Sequence, residues 1–320
     1  MTEGLQNDQD RFDAAVSRTD PALFRRFVPE VAHRTTGEVL DHPGFVGMRR
    51  RYVADTTAHY RVAVFPGGWQ STAYRAAALG SIICLHAAFD PGHRATWPTL
   101  TRLKQIFATL DQSSSRQIDD FVARLVETGY VVMERAEADG RLRLLYPTEP
   151  LLAWERAVRA SYYGVLDALY PAPGYGFALV QDPGFQRAQS AASLTVFDVI
   201  GRVLAENRDM LPFHAMYHGT NVLMNLAVDH EGGQHKTVAG LDALREDYGV
   251  SRSHLRNVLM AAEAADLLEW AGPNRKAARL TPRGLAAVDR FIADTLSSHD
   301  LTYRMALMRM GVDPEQPTPE

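Results

Sequence analysis

The sequence predicts a mainly α protein in which one helix–turn–helix–hairpin unit occurs twice. Three observations predict it. Apolar residues recur at i, i+3, i+4 and i+7 along most of the chain, the period of a half-buried helix. Short apolar runs flank Asp139-Gly140, and others flank Gly272-Pro273-Asn274, the pattern of a β-hairpin. The elements around the first hairpin return in the same order about 137 residues later.

Composition bounds the function classes. The 320 residues include 34 Lys+Arg and 38 Asp+Glu, a net charge of −4. A uniformly basic nucleic-acid coat is excluded, but a local basic face is not. The length favours two domains, each able to bury a core without staples. One cysteine, Cys84, excludes an internal disulfide framework and a multi-Cys zinc module, and fits a reducing compartment. The start of the chain is polar and acidic, unlike a signal peptide. The longest apolar stretch, Ala76 to Phe89, is interrupted by Gly80, Ser81 and His86 and is too short to span a bilayer. A soluble cytoplasmic protein is expected.

Residues 1–70 read as an N-terminal helical extension. Asp20-Pro21 opens a helix carrying Leu23, Phe24, Phe27 and Val28, and residues 50–65 fit either a strand or a helix. The first unit spans 71–170. Ser71 to Phe89 and Pro98 to Leu110 are helical, and a serine of the run Ser113-Ser114-Ser115 caps the next helix. That helix turns Ile118, Phe121, Val122, Leu125 and Val126 inward and stops at Gly129. The hairpin around Asp139-Gly140 follows, then a helix from about Glu149 to Tyr170. Residues 171–190 read as a linker, because Pro171, Pro173, Gly174 and Gly176 fall together.

The second unit spans 191–311. It has helices over Leu194–Asn207, Phe213–Asp229 and Thr237–Asp247. A further helix is capped by Ser251 and buries Leu255, Val258, Leu259 and Ala262. A second hairpin leads through Thr281-Pro282-Arg283-Gly284 into a long helix ending near Met310. Residues 312–320 read as a disordered tail. In the repeat, Ile118, Phe121, Val122 and Leu125 correspond to Leu255, Val258, Leu259 and Ala262, and Tyr130-Val131 to Leu267-Leu268. With the second hairpin three residues shorter, Tyr146-Pro147-Thr148 corresponds to Leu280-Thr281-Pro282.

The second unit resembles the MarR-type winged helix-turn-helix transcription regulators. The resemblance rests on Leu241 to Ser253, on Asp266-Leu267-Leu268, and on Ala278 to Gly284. The first unit shares it through Glu127 to Val131 and the Asp139-Gly140 tip. It covers about 95–170 and 213–310. It implies two winged helix-turn-helix units with small β-hairpin wings, forming an intramolecular pseudo-dimer, so a monomer is expected rather than a homodimer. It also implies a bacterial, nucleoid-associated regulator whose partner is double-stranded DNA, with a small-molecule effector at the interface between the units.

A helix fits the major groove, where Arg pairs with guanine and Asn with adenine. In the second unit the helix after Ser251 offers Arg252, Ser253, Arg256, Asn257 and Met260. The stretch 271–283 holds Arg275, Lys276, Arg279 and Arg283 with no acid, a local +4 suited to phosphate. In the first unit the helix offers Ser114, Ser115, Arg116, Gln117, Asp120 and Arg124. Its wing offers Arg135, Arg141 and Arg143 beside Glu134, Glu137 and Asp139. From 97 to 147 there are seven basic and seven acidic residues. Either Arg116 and Gln117 read bases while the acids point away, or this unit is a structural half. The expected target is an imperfect inverted repeat read by two non-identical recognition helices.

Other constellations have plainer readings. His214 and His218 stand i, i+4, as zinc ligands do, but no third ligand or metalloprotease Glu accompanies them, so packed or polar histidines are expected. Cys84 lies on an apolar face, where a thiol packs inertly. Trp154, Tyr162, Tyr163, Tyr170, Tyr175, Phe177, Phe185, Phe197, Phe213 and Tyr217 crowd the middle of the chain. They read as an aromatic core before a ligand pocket. Arg49-Arg50-Arg51 reads as solvated rather than phosphate-binding. Pro66-Gly67-Gly68 lacks the Lys of a phosphate loop, and no catalytic motif appears, so neither an enzyme nor a cofactor or metal is expected. Two other readings stay open. One is a ligand-sensing or protein-interaction module that has lost DNA reading. The other is a plasmid-type replication initiator.

Overall fold

The computed structural model describes residues 23–61, 72–108, 114–137, 139–230, 236–271 and 277–315. Within them helix dominates. The N-terminal segment forms α1 (Leu23–Phe27), α2 (Thr36–Leu40) and α3 (Phe45–Ala58). Then come α4 (Ala73–Ala87), α5 (Leu100–Ala108), α6 (Ser115–Glu127), β1 (Val131–Ala136), β2 (Asp139–Pro147) and α7 (Glu149–Leu169). Four helices follow: α8 (Gly176–Leu179), α9 (Pro183–Thr195), α10 (Phe197–Glu206) and α11 (Leu211–Ala215). The remainder is α12 (Gly219–His230), β3 (Lys236–Thr237), α13 (Val238–Tyr248), α14 (Arg252–Ala264), β4 (Leu268–Ala271), β5 (Ala277–Leu280) and α15 (Pro282–Met310). No described helix is long and apolar enough to cross a membrane.

The chain divides into two compact units, and neither is a continuous segment. One comprises residues 1–72 and 202–298, the other 73–201 and 299–320. The N-terminal extension therefore belongs to the 202–298 unit. Phe24 of α1 and Val28 just after it are buried, while Phe27 is half-exposed with the Arg202 guanidinium 5.7 Å from its ring. The ambiguous stretch after residue 50 is helical to Ala58, and residues 62–71 lie outside the described set. Arg49 is not solvated. Its guanidinium is buried and holds Asp289 of α15 through Nε at 2.6 Å and Nη2 at 2.7 Å. Arg50 and Arg51 are exposed, as expected of them.

Residues 171–190 are not a linker. Tyr175 is fully buried, and α8 and α9 fill most of the stretch, with α9 against α4. The prolines and glycines mark a corner within a unit, because the residues after it carry their own apolar face in Phe185, Ala191 and Ala192. The helix expected over Phe213–Asp229 is broken between Ala215 and Gly219. Gly219 permits the break, since a Cβ there would meet the Phe213 carbonyl oxygen at 2.6 Å.

Each unit contains the same run of elements. In the 202–298 unit α12, β3, α13, α14, β4 and β5 follow in order, and the strands pair antiparallel as β3-β5-β4. In the 73–201 unit α4, α5, α6, β1 and β2 follow, with β1 and β2 antiparallel. Thr99 forms an antiparallel bridge to Leu144, at the place that β3 takes in the other unit.

The hydrogen bonds give the correspondence residue by residue. Ser114 Oγ accepts from the Gln117 amide, and Ser251 Oγ from the His254 amide. The inward face is Ile118, Phe121, Val122 and Leu125 in α6, and Leu255, Val258, Leu259 and Ala262 in α14. Val126, expected inside, is exposed. Both helices end in a left-handed residue, Gly129 (φ +76°) and Asp266 (φ +59°). The next amide then reaches back to Leu125 O and Ala262 O, each at 2.9 Å, as in a Schellman turn. Thr148 caps this corner by donating to Gly129 O at 2.9 Å, and Thr281 donates to Asp266 O at 2.7 Å. Thr148 thus corresponds to Thr281 and not to Pro282. The second hairpin is shorter by one residue more than the sequence pattern suggests.

Candidate nucleic-acid interface

The helix α14 is placed by a three-residue turn. Gly249 (φ +62°) ends α13, and the Val250 amide bonds back to Arg245 O at 3.0 Å. Val250 is buried, and Ser251 then caps α14. One further contact fixes the helix: His254 Nε2 lies 2.6 Å from the Tyr217 carbonyl oxygen in the turn before α12. With one face of α14 in the core, Arg252, Ser253, Arg256, Asn257 and Met260 all emerge on the other.

These five residues are those the sequence selected. The Arg252 side chain is 81% exposed, with Nε 3.7 Å from Asp242 Oδ1. Ser253 Oγ lies 3.0 Å from Ser251 Oγ. Arg256 and Asn257 form no hydrogen bond or ion pair with the described residues. Met260 is 47% exposed, although large apolar side chains are usually withdrawn from water. No acid occurs on α14 before Glu263.

The hairpin beside it is less positive than its composition suggests. Glu269 and Arg279 face each other in the β4–β5 register and form an ion pair. Arg283 holds Asp209 through Nε at 2.9 Å and Nη2 at 2.6 Å. Two of the four cations behind the expected +4 are therefore matched by acids. Arg275 and Lys276, at the hairpin tip, lie outside the described residues.

The corresponding face of the 73–201 unit is built differently. Ser114, Ser115, Arg116, Gln117 and Arg124 are all exposed. The Gln117 amide oxygen, however, accepts from the Ser114 amide at 2.8 Å, completing the capping box of α6. Arg116 has Asp120 at 4.0 Å, and Arg124 has Glu127 at 2.5 Å. Asp119 is held by Lys104 at 2.6 Å. On the wing Arg141 and Arg143 are exposed, and Arg143 faces Arg135 across the hairpin. Arg94 holds Asp139 at 2.9 Å.

The histidine pair is not a ligand pair on one helix. His214 ends its α11 turn with Nδ1 2.9 Å from Thr220 Oγ1, and burial pushes its pKa down to about 4. His218 sits in the following turn at φ +55°, its ring stacked on Tyr248 at 4.6 Å. Burial, and then the neighbouring His254, push it down to about 4 as well. Among the described residues no group of three or more His, Cys, Asp or Glu is placed to hold a metal ion. His235 and the His230 side chain lie outside them.

Cys84 is buried, and burial pushes its thiol up to about 12, so it carries no thiolate at neutral pH. In the 73–201 unit Tyr163, Tyr175 and Phe185 pack on Tyr303, with ring centroids 4.8–5.2 Å from it. Beside Phe177 and Phe185 there is a cavity of about 10 Å³, room for a water at most. Arg156 and Arg159 line it, but Gln186, Gln189, Ser190 and two glutamates already occupy their guanidinium groups. The rings form a core there. No family model matches the chain, and neither does a curated protein or a solved structure.

Sequence reasoning missed His254, Asp209 and Asp289. His254 reads as one more polar residue on a helix, and its partner is a backbone carbonyl 37 residues away. Asp209 and Asp289 are separated from their arginines by 74 and 240 residues, and no local pattern marks them.

Proposed function

We propose that the protein is a sequence-specific DNA-binding transcription regulator built on two winged helix-turn-helix units. The order α12, β3, α13, α14, β4, β5, with strand order β3-β5-β4, is the order of a winged helix. One observation carries the reading: the outer face of α14, where Arg252, Arg256, Asn257 and Met260 project together and the helix itself carries no acid before Glu263. Such a face is attracted by phosphate and presents hydrogen-bond donors to base edges. Burial of Leu255, Val258, Leu259 and Ala262 holds the helix rigid, so its donors are placed before DNA arrives. The resemblance to MarR-type regulators points the same way.

The test is genome-wide occupancy of the tagged protein beside an Arg252→Ala/Arg256→Ala variant. The expected outcome is sharp peaks that share a sequence and vanish in the variant. Absence of enrichment, or peaks unchanged in the variant, would remove DNA reading by α14.

A further inference from the structure

The two helices that this reading lays on DNA differ in what their outer faces have left to offer. On α6, Arg116 faces Asp120 and Arg124 faces Glu127, so each outward cation has an acid within one turn. Gln117, the residue fit for adenine, spends its amide oxygen on the Ser114 backbone. Laying this face in a groove would bring two exposed carboxylates toward phosphate and desolvate four charges with no net attraction. On α14, Arg252 has Asp242 of α13 at 3.7 Å, but Arg256 and Asn257 form no hydrogen bond or ion pair with the described residues, and α14 itself carries no acid before Glu263.

We infer that base reading is one-sided: the 202–298 unit reads sequence through Arg256 and Asn257, and the 73–201 unit adds no base discrimination. The inference rests on the DNA-binding reading above. Arg256 supplies the planar fork that pairs with guanine O6 and N7, and Asn257 the amide that pairs with adenine N6 and N7. Met260, one turn beyond Arg256, supplies an apolar surface for a thymine methyl. At 1.5 Å rise per residue, Arg256 to Met260 spans about 6 Å, roughly two base-pair steps. The site is therefore one short block and not an inverted repeat.

The experiment selects bound sequences from a random duplex library with the full chain and two exposed-surface variants, Arg256→Ala/Asn257→Ala and Arg116→Ala/Arg124→Ala. Thermal midpoints equal to the wild type's show that both variants fold. The wild type is expected to enrich a single block containing guanine next to adenine. Arg256→Ala/Asn257→Ala loses about tenfold or more of the preference at those positions. Arg116→Ala/Arg124→Ala enriches the same block with the same preference. Two blocks related by inverted symmetry, one of them lost in Arg116→Ala/Arg124→Ala, would overturn one-sided reading and leave DNA reading standing. A block unchanged in Arg256→Ala/Asn257→Ala would overturn the assignment of the reading residues. Retention of no duplex by the wild type would overturn the DNA-binding reading, and this inference with it.

Discussion

His214 and His218 are neutral in the fold because burial leaves no solvent to stabilise their charged forms. The unfolded chain binds protons at both positions once the pH falls below about 6.5. Their contribution to stability is therefore complete above pH 6.5, declines as the pH falls toward 4, and is lost below that. Each accounts for on the order of 3 kcal/mol. Denaturant midpoints across this range should fall accordingly. A His214→Phe variant, which keeps a ring against Phe291, should flatten the slope. A second residue-scale prediction concerns Arg49. Arg49→Ala removes both of its hydrogen bonds to the buried Asp289 carboxylate and should cost about 3–5 kcal/mol in a denaturant titration, whereas Arg49→Met with Asp289→Leu should cost less. The serine caps of α6 and α14 were legible in sequence because a cap is a local bond three residues long. Arg49 was misread for the opposite reason, since its partner lies on another helix far along the chain.

At the scale of elements, the start of α15 is pressed against the turn between α14 and β4. A Cβ on Gly284 would lie 2.1 Å from the Leu267 carbonyl oxygen, the atom that also accepts from the Thr281 amide at 3.0 Å. Backbone cannot yield as a flexible side-chain end can. Gly284→Ala should therefore lower stability by about 1–3 kcal/mol or more, read as a drop in thermal midpoint. Helices with a cap at one end and a glycine at the other were read close to their observed bounds, α6 among them, from its Ser114 cap to Gly129. The break after α11 was not, because Met216 and Tyr217 continue an apolar pattern that a helix would also show. Both hairpins were legible from their turns, but β3 was not, since two residues carry no period.

For the whole molecule, a net charge of −4 says little about any one face, because cations and acids pair locally, as Arg279 does with Glu269 and Arg283 with Asp209. If the proposed DNA binding holds, affinity for duplex DNA falls linearly with the logarithm of salt concentration and Arg252→Ala lowers that slope by about one, measured by titration at several salt concentrations. The order of elements was legible; the grouping into units was not. One continuous helix, α15, supplies residues to both, with the division at Ser298 and His299. The 73–201 unit depends on that supply. Tyr163 Oη donates to His299 O at 2.9 Å, Tyr175 Oη to Asp300 Oδ1 at 2.7 Å, and Tyr303 packs among the rings. Residues 73–201 expressed alone should therefore lack a cooperative unfolding transition.

The same division sets an order of events on the ribosome. The nascent chain emerges with Tyr163, Tyr175 and Phe185 made and the ring that covers them, Tyr303, still about a hundred codons away. At bacterial or eukaryotic elongation rates that delay is about 5–20 s. For that interval the aromatic cluster lacks the ring that packs on it. The unit begun earlier after residue 72 is thus finished by the same stretch of synthesis that finishes α15.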